Sequence, residues 1–297
     1  MRIVISGSTG LIGTALTERL RAAHHDVVRL VRRPATGSDV QWDPTAGVLP
    51  AAAVEGADAV INLSGAGIGD HRWTDEYRRE LLDSRLRTTE LLASTIAAAE
   101  QRPSVFLSGS AIGWYGDRGE ERLDERSARG TGFLSDLCAQ WESATGAADA
   151  AGVRVAHLRT GIVLSAAGGA LKKQLPLFKL GLGGKFGNGR QWQSWISLPD
   201  EVGAIEHLLT SQVRGAVNLT APHPVTNAEF TKSLGTVLHR PTVLPIPSFG
   251  PKLLLGGDLA EALLFTGQQV LPGVLGADGY AFAHPTLDVA LRALLDR

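Results

Sequence analysis

Apolar residues along the chain switch repeatedly between a two-residue and a 3.6-residue period, and the switches mark its elements. The opening stretch, MRIVISGSTGLIGTALTERLRAAHHDVVRLVRR, has a β-branched run from Arg2 to Ser6 and a turn punctuated by Gly7, Gly10 and Gly13. Apolar residues at helical spacing follow from Leu11 to Ala23, and then a second strand-like run from Val27 to Val31. The pattern continues with a short strand at Val40 to Trp42, a buried strand at Ala59 to Leu63, and a long helix from Thr74 to Ala99. Tyr77, Leu81, Leu82, Leu86, Leu91 and Leu92 form the apolar stripe of that helix. Strands at Ser104 to Ser108 and Val153 to Leu158 flank a helix over Phe133 to Ala150, and a helix from Pro199 precedes a strand at Ala216 to Leu219.

Strands alternating with helices predict an α/β protein with a doubly wound parallel sheet of the Rossmann type. Thr226, Asn227 and Glu229 read as a capping box opening a helix to Leu238. Beyond about Pro241 short apolar helices and turn signals suggest a smaller mixed lobe. The expected organisation is therefore a large domain over residues 1–240, in which 165–195 contribute a lid, and a small helical C-terminal domain over 241–297 that completes a cleft. The glycine-rich stretch GLGGKFGNGRQWQSW carries the aromatics of the lid, and Arg190, Gln191 and Trp192 supply a cation, an amide and a ring for a substrate.

The first turn carries the clearest chemistry. Gly7 permits a tight exit from the strand, Gly10 lets backbone N–H groups approach a pyrophosphate, and Gly13 lets the helix lie close to the sheet. The helix N-terminus then faces the anion. Ser8, Thr9, Leu11 and Ile12 complete this cofactor-binding turn. About 20 residues further, an acidic side chain would hold the ribose 2′-OH of NAD, and arginine suits the 2′-phosphate of NADP. Arg32 and Arg33 stand there, and Asp26 lies at the wrong end of the strand, so NADP(H) is the expected cofactor. The carboxyl ends of later strands add Asn62, Leu63, Ser64 and Gly65, Ser108, and Arg159 as further cofactor contacts.

Composition narrows the partners. The 297 residues carry 29 Lys and Arg against 30 Asp and Glu, a net charge of −1 with interspersed signs, which offers nucleic acid no basic field. Cys138, the single cysteine, excludes an intramolecular disulfide, and the eight histidines show no metal-ligand spacing. Neither a signal peptide nor a membrane span is read from the sequence, so a cytoplasmic monomer or homodimer acting on a small molecule is expected.

GSTGLIG, Asn62-Leu63-Ser64-Gly65, Ser108-Gly109-Ser110-Ala111 with Trp114-Tyr115-Gly116, and Ser194-Trp195-Ile196-Ser197 with Asp200 resemble the landmarks of the extended short-chain dehydrogenase/reductases. HRWTDEYRRELLDSR, GFLSDLCAQWE, LRTGIVLS and APHPVTNAEF resemble, more narrowly, an atypical subgroup called epimerase family proteins. The resemblance covers nearly the whole chain and implies a NADP-binding Rossmann domain with a small C-terminal domain of unknown function.

The wider superfamily pairs a tyrosine acid/base with a lysine four residues later, beside a serine that orients the substrate. Ser110 fits the serine; counting back from Glu142 by four and by eight gives Cys138 and Leu134, so the pair is absent. Tyr115 is the leading substitute proton donor, with Glu125 and His71 behind it. Asp43 reads as a turn-forming residue before Pro44, with approach to the adenine as the alternative, and Arg85 as a solvated helix-face arginine, with reach to a substrate phosphate or carboxylate as the alternative. The expected function is NADPH-dependent hydride transfer to a small organic substrate, an oxidoreductase lacking the usual pair. The alternatives are a non-catalytic NADPH-binding sensor and a nucleotide-sugar epimerase or dehydratase.

Overall fold

The computed structural model describes residues 1–295. In chain order it begins β1 (Arg2–Ser6), α1 (Leu11–Ala22), β2 (Asp26–Val31), β3 (Val40–Gln41), β4 (Ala59–Asn62), α2 (Asp75–Ala98) and β5 (Val105–Ala111). Then come β6 (Arg122–Leu123), α3 (Phe133–Ser143), α4 (Gly146–Ala150), β7 (Arg154–Thr160), β8 (Ile162–Leu164) and α5 (Gly169–Lys179). β9 (Trp192–Gln193), β10 (Trp195–Ser197), α6 (Leu198–Thr210), β11 (Gly215–Leu219), β12 (Val225–Thr226) and α7 (Asn227–Val237) follow. The chain closes with α8 (Phe249–Leu255), α9 (Gly257–Ala260), β13 (Gln269–Val270), α10 (Gly273–Ala277) and α11 (Leu287–Leu295).

Seven strands form one parallel sheet in the order β11-β7-β5-β4-β1-β2-β3. The chain winds outward from β1 through β2 and β3, then returns to the other side of β1 to lay down β4, β5, β7 and β11. The reversal opens a crevice at the carboxyl ends of β1 and β4, where such sheets take their ligands. Register aligns Ser6 with Asn62, Asn62 with Ser108, and Ser110 with Arg159, so the candidate residues rise at one edge.

Period-two alternation divides the strands between two cores. Ile3 and Ile5 face α1 and α6 with Leu16, Leu20 and Ile205, whereas Val4, Val60 and Phe106 face α2 and α4 with Leu92, Ile96 and Ala148. The helix expected over 133–150 is broken in two. Thr145 Oγ1 donates to the Glu142 carbonyl oxygen at 2.8 Å, competing with the helical ladder, and a glycine, Gly146, follows. Thr226 and Glu229 close the expected capping box, with each backbone N–H bonded to the other's side chain.

The C-terminal segment is laid back on the body of the protein. β13 pairs with β6, α10 lies against β11, and α11 packs on α7. Buried Asp200, in the first turn of α6, fastens it: its carboxylate accepts from the Ala283 and His284 backbone N–H groups at 2.7 and 2.9 Å and from the Tyr280 hydroxyl at 3.3 Å. Among the described residues no helix is long and apolar enough to cross a membrane, and no group of three metal-ligating side chains converges.

Candidate functional site

At the β1–α1 turn the backbone leaves little room except where an anion would sit. Gly7 adopts φ +71° and crosses the Leu63 carbonyl, so a Cβ there would strike that oxygen. A Cβ on Gly13 would strike the Gly7 carbonyl and stand 2.8 Å from Ser8 Cα, which holds α1 close to the loop. Gly10 differs: its only neighbour would be the Gly7 oxygen at 3.5 Å, and the residue is exposed. The first intrahelical donor is Thr14, whose N–H reaches Gly10 at 2.9 Å, so the N–H groups of Leu11, Ile12 and Gly13 have no intrahelical acceptor. No acidic side chain occupies the first turn of α1 to take up its positive end. Ser8 is buried with its hydroxyl unpartnered, and Thr9 is exposed beside it. These residues fit a pyrophosphate.

Arg32 and Arg33 follow Val31, the last residue of β2, on the surface. Arg33 donates to Asp39 at 2.7 Å, and Asp39 also takes both ends of the Arg29 fork at 2.8 and 2.9 Å. Burial resists ionisation of Asp39, but the hydrogen bonds and charges of Arg29 and Arg33 outweigh it and hold the carboxyl below its usual range. Arg32 makes no side-chain bond to another described residue, leaving one guanidinium free and one tethered at the position for a 2′-phosphate.

Side chains at the next strand ends shape the crevice. Asn62 is fully buried; its amide accepts from Ser6 Oγ at 2.6 Å and Ser64 N–H at 3.1 Å and donates to Thr89 at 2.9 Å. It therefore sets the Leu63-Ser64-Gly65 bend and presents that backbone, with Gly65 exposed, in place of its own amide. Ser108 is buried, and its hydroxyl lacks a partner.

Ser110 and Arg159 meet on one carboxylate. Glu142, on α3, accepts from Ser110 Oγ at 2.7 Å and from Arg159 Nε and Nη2 at 2.8 and 2.9 Å. Arg159 is 4% exposed, its guanidinium stands 3.9 Å from the Trp114 ring centroid, and it faces this network. Burial opposes its charge, and Glu142 more than restores it. Arg159 Nη1 donates to the Tyr115 hydroxyl at 3.0 Å, which donates in turn to Asn218 Oδ1 at 2.8 Å. Tyr115 is 0% exposed, and burial pushes its hydroxyl above the usual phenol range against the lowering by Arg159. The tyrosine expected to donate a proton is thus held in the interior, its hydroxyl engaged on both sides and closed to a substrate.

The other candidates have structural occupations. Glu125 accepts from the Asn218 and Val274 backbone N–H groups at 3.0 and 3.2 Å, and burial raises its carboxyl. His71 is exposed with its ring edge-on to Tyr77, and Asp43 closes a turn through the Thr45 and Ala46 N–H groups. Burial pushes the Cys138 thiol up to about 12, an inert position. In the expected lid, Gln191 donates to the Leu264 carbonyl at 2.5 Å, Trp192 Nε1 donates to Glu120 at 2.8 Å, and Arg190 is exposed. Phe186 packs edge-on against Phe265, while Trp195 lies wholly in the core.

Sequence reasoning missed the connecting roles of Glu142 and Asn218 and the burial of Glu201. Glu142 carried a readable signal: it continues the buried stripe of Ser135, Cys138 and Trp141 on α3. Glu201 is 0% exposed on α6; Oε1 accepts from Thr160 at 2.9 Å, Oε2 has no partner, and burial pushes the carboxyl up to about 8.

Comparison with known proteins agrees with this geometry. Residues 3–220 match the model of the NAD dependent epimerase/dehydratase family, and residues 246–294 match a domain of unknown function, DUF1731. An epimerase family protein of Mycobacterium tuberculosis (strain CDC 1551 / Oshkosh) is 44% identical over 291 residues, covering 97% of this chain and 96% of its own. The crystal structure of human epimerase family protein SDR39U1 (isoform2) with NADPH superposes with a TM-score of 0.90 at 35% identity, over 99% of each chain. The UDP-glucose 4-epimerase of Thermus thermophilus in complex with NAD shares the fold at a TM-score of 0.75 and 19% identity, over 100% of this chain and 98% of its own. With its glycine turn, its seven-stranded parallel sheet and a family match over most of its length, this chain belongs to the NAD dependent epimerase/dehydratase family.

Proposed function

We propose that the protein is a NADP(H)-dependent oxidoreductase acting on a small organic substrate at the carboxyl ends of β4, β5 and β7. One observation carries the reading: an α1 N-terminus with no acidic residue in its first turn, open at Gly10, is followed by Arg32 and Arg33 at the end of β2. The human relative crystallised with NADPH supports the same cofactor. In this assignment the Gly7–Gly13 backbone holds the pyrophosphate, the two arginines take the 2′-phosphate, and the Leu63–Gly65 bend walls the crevice.

When bound, NADPH would supply a hydride to a carbonyl, and NADP⁺ would accept one from an alcohol. The chain itself handles the proton. Ser110 directs its single hydrogen at Glu142, so towards a substrate it offers lone pairs, suited to accepting from a hydroxyl. In the alcohol-oxidising direction the substrate proton passes to Ser110 Oγ as the serine's own proton moves to Glu142; carbonyl reduction runs the two transfers backwards. Arg159 keeps the carboxylate oriented, and Tyr115 with Asn218 keeps Arg159 in place. Ser110 and Glu142 thus take the proton-transfer role that the sequence assigns to Tyr115.

The test is calorimetric titration of NADPH, NADP⁺, NADH and NAD⁺ into wild type and an Arg32→Ala/Arg33→Ala variant, followed by a carbonyl panel monitored for NADPH oxidation. The phosphorylated pair is expected to bind more tightly, with that preference lost in the variant. Binding of none of the four refutes the assignment. Tight binding without oxidation by any carbonyl supports a NADPH-binding sensor instead.

A further inference from the structure

Arg85 is a cation without a counter-charge. It projects from α2, where its Nη1 donates to the Leu81 carbonyl of its own helix at 2.9 Å; its Nε is buried and has no partner. No Asp or Glu among the described residues pairs with it. Burial lowers its proton affinity, and only Cys138 and Tyr77 counter this, neither of them a carboxylate.

Other buried or stacked arginines have a carboxylate or several carbonyls as partners, although Arg78 also keeps one buried Nε without a partner. Arg159 has Glu142, Arg154 caps α6 through three carbonyls from Leu208, Leu209 and Val213, and Arg78, two turns earlier on the same face of α2, pairs with Asp258. Arg85 as a whole is half-buried, but a guanidinium whose Nε is out of water and whose one acceptor is neutral is incompletely satisfied, and an anion would complete it.

Its position says which anion. The guanidinium lies 5.0 Å from the Trp141 ring centroid, and its Cζ lies 3.2 Å from where a Cβ on Gly65 would stand. The Trp141 ring edge lies 2.7 Å from the corresponding point on Gly109, next to Ser110. Arg85 thus sits under the exposed Gly65 bend, one indole away from the serine, while partly buried Ala66, Ile68, Trp114 and Phe133 give the surroundings an apolar character. We propose that Arg85 binds a carboxylate or phosphate carried by the substrate, which makes the substrate class an anionic group on a compact apolar or aromatic body. This rests on the oxidoreductase reading and adds to it the charge of the substrate.

The probes are inorganic phosphate and acetate, titrated at constant ionic strength with chloride as the balancing ion. The readout is thermal unfolding of the NADPH-saturated protein, in which the cofactor's own phosphate positions are filled. Wild type is expected to show a saturable rise in Tm with at least one probe. Arg85→Gln should weaken that response about tenfold or more, since it replaces a charged fork with a neutral amide. Its Tm without added anion should stay within about 2 °C of wild type, because no ion pair is lost, only one hydrogen bond to the Leu81 carbonyl and the contact with Trp141. Arg85→Lys should retain a weakened response.

An equal response in Arg85→Gln, no response in wild type, or an Arg85→Gln protein that is destabilised beyond that margin or unfolded without anion would each overturn the proposal; the last would make Arg85 a structural residue. Cofactor affinity, measured separately, should stay within twofold in Arg85→Gln. If NADPH fails to bind wild type, the oxidoreductase reading fails by itself, and the same titration in the Arg32→Ala/Arg33→Ala background decides whether Arg85 still binds the anion.

Discussion

Glu201 makes stability depend on pH in a direction opposite to the usual carboxylate. Its carboxyl lies at 0% exposure with one oxygen on Thr160 and the other without a partner, so burial carries its pKa from 4.5 to about 8. Below about pH 4.5 folded and unfolded chains both hold the proton. Between there and about pH 8 the unfolded chain ionises and the folded one does not, so the folded state binds one more proton and stability falls as pH rises. The span is about 3.5 pH units, and at ~1.36 kcal/mol per unit the full effect is about 5 kcal/mol, comparable with the stability of many domains. Glu201→Gln keeps an acceptor for Thr160 and removes the titration.

Urea unfolding of both proteins from pH 4 to 9 checks this. Other groups also titrate: burial lowers His157, which favours stability as pH rises, and burial raises Glu125, which adds to the Glu201 slope. Subtracting the two curves cancels both. The variant should gain on wild type by about 1.4 kcal/mol per pH unit through the middle of the range and level off above about pH 8. Parallel curves between pH 5 and 8 would mean that the folded protein already carries an ionised Glu201, and the reasoning would be refuted.

Three further substitutions probe the hydrogen-bond hubs. Glu142→Gln leaves Arg159 buried without its carboxylate and should cost about 3–5 kcal/mol in urea unfolding, whereas adding Arg159→Met should cost much less than the two single changes combined; additive losses would show that the pair is not coupled. Asp200→Asn turns an N–H donor towards either the Ala283 or the His284 N–H, which bond different oxygens of the carboxylate, so a loss of about 2–4 kcal/mol and faster proteolysis near residues 280–284 are expected, and a loss below about 1 kcal/mol would contradict the anchoring role.

The sheet was legible in the sequence because its elements are encoded locally. Ile3, Val4 and Ile5 are β-branched and buried on both faces, and Gly7 and Gly13 stand where the backbone leaves no room for a Cβ, with Gly10 open between them. The resemblance to epimerase family proteins, carried by motifs across the chain, agrees with the family match over residues 3–220. The polar interior was less legible because it joins residues far apart in the chain. Tyr115 and Asn218 are 103 positions apart, and Glu142 and Arg159 are 17 apart on different elements. A tyrosine after a serine-bearing strand looks catalytic until the partners of its hydroxyl are known. Arg85 shows the converse: helix periodicity places it, and only packing shows that nothing neutralises it.

The buried bonds form one path from the crevice to the C-terminal segment. Ser110 bonds Glu142, Glu142 bonds Arg159, Arg159 bonds Tyr115, and Tyr115 bonds Asn218. The Asn218 amide reaches the Leu271 carbonyl at 2.9 Å, and its backbone N–H shares Glu125 with that of Val274 at the start of α10. The links from Ser110 to Asn218 lie out of water, where a broken polar contact is expensive, and those onward to residues 271–274 are half-buried, so the path favours one arrangement over many partly bonded ones. The position of the serine and the docking of residues 271–274 are consequently one packing problem. Asp200 fixes the same segment from its other side, through residues 280–284. A chain without the tyrosine–lysine pair thus keeps a polar interior beneath its crevice, in which Ser110 is the member that lies at the carboxyl end of the sheet and Glu142 the carboxylate that joins it to Arg159.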